Sequence, residues 1–217
     1  IKLWGHTAEE MMIPGTEEMK FALGENPKRF HGLEQHRMPW TRMGTAALLR
    51  ETLYKAKNYS DKLKAAETDP SKAPEPDFKL DALVRVIRGE QRVRIHCHRA
   101  DDIITAIRIA KEFGLDFTLE HATEGYKVRD VIAENHLYCI VGPLLLPPSK
   151  QEIWNLKLEN PGMLTDAGVK VCLTADTGSE TKWLPMQAGL LLRRGMTEEN
   201  IMKGLTIYPA EVLNLDH

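Results

Sequence analysis

The feature that most constrains this chain is a rhythm in its second half, where short apolar or β-branched runs alternate with helix-patterned stretches. Runs begin near residues 93, 117, 138 and 169, a spacing of about 20 to 30 residues that β/α units have. The run ending at His96 leads into a helix predicted over 101–113, where Ile103, Ile107 and Ala110 share a face. Asp101 and Asp102 suit the positive start of that helix, and Gly114 suits its end. The run 117–121 leads into a helix over 126–134, and 138–142 leads through a longer loop into a short helix over 161–167. The run 169–174 leads into helices over 184–194 and 197–205. Such alternation specifies α/β architecture. It can close into an eight-stranded barrel or open into a doubly wound sheet. The glycine-rich phosphate turn that often marks the open form is absent, which favours a (β/α)8 TIM barrel.

The first half is less regular. Residues 1–40 read as one strand within the 19–23 region followed by a long loop punctuated by Pro27, Gly32 and Pro39. A helix follows over 41–64, with Ala46, Leu49, Leu53 and Ala56 on one face. The polar, proline-rich stretch 68–77 is too poor in apolar residues to pack, so a flexible insertion is expected at about 66–78, before a helix over 80–88. A TIM barrel takes about 250 residues. With 217 residues, positions 1–217 read as a partial barrel and the sequence as a piece of a longer chain.

Bulk properties narrow the function. The 29 basic and 31 acidic residues nearly cancel and form no basic, aromatic-laced surface, which disfavours nucleic acid and favours a small-molecule partner. No apolar run reaches the roughly 20 residues that span a bilayer, and the opening residues lack the shape of a signal peptide, so no membrane association and a cytoplasmic setting are expected. Cys97, Cys139 and Cys172 are widely spaced among apolar residues and read as buried thiols; no close pair offers a thiolate zinc site.

In β/α barrels the functional groups gather at the C-terminal ends of the strands, and His96, His121 and Asp176 all fall there. Imidazoles with a carboxylate suit Zn²⁺ or Fe²⁺. Each residue alone has an ordinary reading as a strand-end or helix cap. His98, two positions beyond His96, reads as a second ligand, a substrate contact or a cap for the following helix.

The runs MKFALGENPKR (19–29), RIHCHRADDI (94–103), LEHATEG (119–125) and GLTIYPAEVL (204–213) together resemble the amidohydrolase superfamily, in the branch near the imidazolonepropionases. The resemblance spans nearly the whole chain and implies a barrel represented here by strands three to eight, without the first strands, their His-x-His pair and the C-terminal end. It implies His96 as the fifth-strand metal ligand, His121 as the sixth-strand histidine for metal or substrate, and Asp176 as the eighth-strand aspartate that holds metal and moves the proton. Glu25 matches a third-strand glutamate ligand, with Lys20 as the lesser candidate. His98 and Arg99 would lie near substrate, and Thr123, Glu124 and Gly125 would shape the pocket. The implied activity is hydrolysis of a C–N bond in a cyclic or small amide by a water activated on one or two ions, with Asp176 and His121 catalytic. A catalytically silent barrel acting as a binding partner and a doubly wound nucleotide-binding protein are the alternatives; homo-oligomerisation is left open.

Overall fold

The computed structural model describes every residue except Ile1, Leu3, Leu146 and Pro148. Five strands, β1 (Met19–Ala22), β2 (Val93–Cys97), β3 (Phe117–His121), β4 (Tyr138–Val141) and β5 (Lys170–Leu173), pair in sequence order as one parallel sheet. Parallel neighbours need a crossover, and helices supply it. They are α1 (Ala8–Met11), α2 (Glu25–Lys28), α3 (Arg42–Ala66), α4 (Phe78–Ile87), α5 (Ala100–Phe113), α6 (Arg129–Glu134), α7 (Asn160–Asp166), α8 (Leu184–Arg193), α9 (Glu198–Leu205) and α10 (Ile207–Val212). Among the described residues no helix is long and apolar enough to cross a membrane.

The expected periodicities appear with their caps. Thr41 accepts from the Gly44 amide at the start of α3, and Leu53 and Ala56 of its apolar face are fully buried. Ile103, Ile107 and Ala110 of α5 are buried, and Gly114 ends that helix in the left-handed region at φ 64°.

Two expectations need correction. The segment after β1 is helical, not a long loop: Gly24, at φ 82°, turns the chain into α2, and a π-helical turn follows over Arg29–Glu34. An acidic Glu25 in the first turn suits the helix start. The sheet also has five strands among the described residues, where strands three to eight would make six. β1 bonds directly to β2, with Lys20 opposite Arg94 and Ala22 opposite His96, so no strand stands between them. The long interval from β1 to β2 holds the packed pair α3 and α4. If β5 is counted as eighth, β1 is fourth, which removes the third-strand assignment of Glu25.

Alternation divides the sheet into two faces. Val93, Ile95, Leu119, Cys139, Val141, Val171 and Leu173 bury into a core shared with the helices. The opposite face carries a ladder of charge: Lys20 pairs with Glu120, Arg94 pairs with Glu18, and Arg94 Nη1 lies 3.3 Å from Glu120 Oε1. Lower on that face Ile140, Cys172 and Val212 form a small apolar cluster with Tyr138 and Tyr208. Glu67, Thr68, Ser71, Lys72, Ala73, Glu75 and Pro76 are exposed, and a short 3₁₀ turn over Pro70–Lys72 is the only regular structure within the 67–77 link. Limited proteolysis of the folded protein is expected to cut first within 67–77; a first cut inside the sheet or α5 would contradict this.

Candidate metal centre

Parallel pairing puts the C-terminal ends of the strands on one edge, where three imidazoles meet. His96, His98 and His121 are buried, with candidate ligand atoms within 4.8 Å of one another. His98 and His121 stack at 4.6 Å between ring centroids, and His96 stands edge-on to them at 4.8 and 4.5 Å.

His96 and His98 share a face because they are two residues apart. His121 reaches it differently. It sits opposite Cys97, so plain alternation would aim it into the helix layer. His121 and Ala122 instead have φ of 68° and 40°, and this left-handed ending turns the ring toward the other two. Such conformations cost of order 1 kcal/mol or more in non-glycine residues and persist where surrounding structure enforces them.

Hydrogen bonds fix the rings. His121 Nδ1 lies 2.5 Å from the Gly142 carbonyl oxygen, which can only accept, so the proton is on Nδ1 and the Nε2 lone pair is free. His98 Nδ1 meets Thr123 Oγ1 at 2.7 Å, while Lys150 Nζ stands 3.4 Å from its Nε2. An ammonium only donates, which gives His98 the same tautomer. The Asn26 amide nitrogen lies 3.1 Å from His96 Nε2. Burial, and then the charges of the other two rings, push His98 down to about 2. Burial and His96 push His121 down to about 4, against the opposing Gly142 bond and the Asp176 charge. Both rings are neutral at pH 7, the form that ligates metal.

The other expected site residues lie apart from this cluster. Asp176, at φ 60°, is exposed beyond β5, and its charge reaches His121 and Lys20 without joining the three imidazoles. Glu25 is half-buried and accepts from the Glu152 amide at 3.1 Å. Lys20 is engaged by Glu120; burial lowers its pKa, against the pull of Asp176. Arg99 pairs at the surface with Asp101 at 2.9 and 3.0 Å. Glu124 accepts from the Ala100 amide at 3.0 Å and so caps α5.

Sequence reasoning missed Glu152. It lies on a 3₁₀ turn, Gln151–Ile153, is 1% exposed, and brings Oε1 to 3.7 Å from His98 Nε2 and 4.0 Å from His96 Nε2. Burial alone would raise its carboxyl. The neighbouring His96, the Lys150 ammonium and the Glu25 amide outweigh that and hold it well below the usual carboxylate range. No residue pattern in the 142–160 loop marks it; contacts with residues 127 positions away in sequence bring it in.

This is a parallel α/β protein with a candidate metal centre at its strand ends. No protein-family model matches the chain. An amidohydrolase structure from Thermotoga maritima MSB8 superposes with a TM-score of 0.92 at 39% identity, over 98% of this chain and 56% of that one. The amidohydrolase tasK of Hapsidospora irregularis is 28% identical over 123 residues, 52% of this chain and 12% of that protein. The chain thus spans about half the length of the solved structure and a small part of the longer protein. By sequence and by fold the chain is similar to these amidohydrolases.

Two outcomes follow from the geometry. A Cβ at Gly142 would strike the Thr174 carbonyl, and φ there is 143°, so Gly142→Ala should destabilise the fold by about 1–3 kcal/mol in chemical denaturation; an unchanged midpoint would contradict the anchoring of His121. The metal-free protein should also lose stability as pH falls from about 6.5 toward 4. Over that range unfolded histidines, with an ordinary value of 6.5, bind protons that native His98 and His121 refuse. A flat stability profile between pH 7 and 4.5 would refute this.

Proposed function

We propose that the chain is part of a metal-dependent hydrolase that cleaves the C–N bond of a cyclic or small amide, built on a (β/α)8 barrel to which it contributes five strands. The observation that carries this reading is the buried cluster of three imidazoles at the C-terminal strand edge, two of them, His98 and His121, held neutral by burial. The amidohydrolase relatives give the reaction class. The donor chemistry fits Zn²⁺ or Fe²⁺: His121 and His98 carry their protons on Nδ1 and keep unprotonated Nε2 atoms, with tautomers set by Gly142 and Lys150. His96, His98 and His121 would hold the ion. When bound, it would lower the pKa of water and polarise a carbonyl.

The chain's own groups divide the remaining work. Asp176 is the exposed carboxylate whose charge reaches His121, so it is suited to accept a proton from water and return it to the leaving nitrogen. The Gly142 bond keeps His121 Nδ1 protonated and its ring fixed. Burial of the three histidines keeps competing water from their faces. Glu25, tied to the Glu152 amide, orients the loop and is not among the imidazole donors.

His96→Ala is expected to remove most bound metal and reduce hydrolysis of a cyclic-amide panel by about 100-fold or more, while circular dichroism stays native. Asp176→Asn should keep the metal and lose turnover. Metal content and turnover that survive His96→Ala would make His96 structural and defeat the proposal.

A further inference from the structure

Around the three histidines the N–H groups are arranged where a cation's positive charge would act. The Lys150 ammonium lies 2.6 Å from Glu152 Oε1, 3.4 Å from His98 Nε2 and 3.2 Å from Asn26 Oδ1. The Asn26 amide nitrogen then points to His96 Nε2 at 3.1 Å. Glu152 Oε1 is buried, faces both His96 and His98, and accepts no hydrogen bond of regular geometry despite its ion pair. Its other oxygen accepts from the Glu25 amide at 2.7 Å and lies 3.7 Å from Arg42. That leaves Oε1, held only by the Lys150 ion pair, as the donor atom facing the imidazoles.

From this arrangement we infer that Glu152 is the fourth, carboxylate donor of the cation site formed by His96, His98 and His121, and that Lys150 is a displaceable internal cation holding the same place. The inference rests on the reading of the histidines as a metal centre and adds two residues that reading does not use. Contact supports the exchange: the Lys150 ammonium lies within 3.4 Å of both Glu152 Oε1 and His98 Nε2, atoms that would hold the ion, while Arg42 stays paired with Asp102 and with the other Glu152 oxygen. Metal binding would therefore release the Lys150 side chain and loosen the loop that carries it, while Glu152 stays anchored through its second oxygen.

The test uses purified, chelator-stripped protein titrated with Co²⁺, read by visible absorption and calorimetry, with circular dichroism to check the fold. Glu152→Gln should raise the Co²⁺ Kd by roughly 10- to 100-fold and alter the visible bands. Lys150→Gln should do the opposite, lowering the Kd by about tenfold, the scale of one like charge removed at contact distance, with the bands unchanged. Native binding with an unaltered Kd in Glu152→Gln overturns the inference alone. So does weaker binding in Lys150→Gln, which decides the matter even if Glu152→Gln does not fold. A native protein that takes up no Co²⁺ overturns the metal reading and this inference with it.

Discussion

Parallel pairing in strict register is the constraint on which the site depends. Ala22 opposite His96 and Cys97 opposite His121 leave the strand ends flush, so residues from separate units arrive at one edge with no help from their own loops. A slip of one residue would send His96 into the helix layer and Ile95 onto the polar face. The apolar residues that alternate with the histidines resist that slip: Ile95 and Leu119 are buried almost completely. The same burial that builds the core therefore fixes the chemistry at its rim.

The edge alone does not make the cluster. His121 would point the wrong way under alternation, and a left-handed residue at the last position of β3 corrects it. That conformation is held by the ring's bond to the Gly142 carbonyl, at the end of the neighbouring strand. Backbone strain at one strand end and a hydrogen bond from the next are two halves of one arrangement.

Much of this was legible in the sequence for physical reasons. Periods of two and of three to four residues reveal strands and helices, and the fold rule that strand ends converge picked out His96 and His121. His98 could be placed on the same face, but not chosen between ligand and cap, because the choice depends on His121 turning toward it. The resemblance implied strands three to eight, whereas five strands pair among the described residues and the interval after β1 holds α3 and α4. Glu152, Lys150 and Asn26 were invisible because they reach the histidines through contacts across 52 to 127 residues of chain, and neither periodicity nor a motif marks them.

Beneath the histidines lies a second electrostatic layer. Glu120 directly precedes His121 and binds both Lys20 and Arg94, while Arg94 also binds Glu18. In these pairs the carboxylates are largely buried while Lys20 and Arg94 reach solvent, so they add little net stability, but removing a cation leaves a buried carboxylate uncompensated. The ladder thus does more to specify register than to strengthen the fold, because a slipped strand would separate opposite charges. It also sets a boundary for the site above it. Lys20 is the ladder's upper cation, and the charge of Asp176 reaches both its ammonium and the neutral His121 ring, which links the ladder to the site above it.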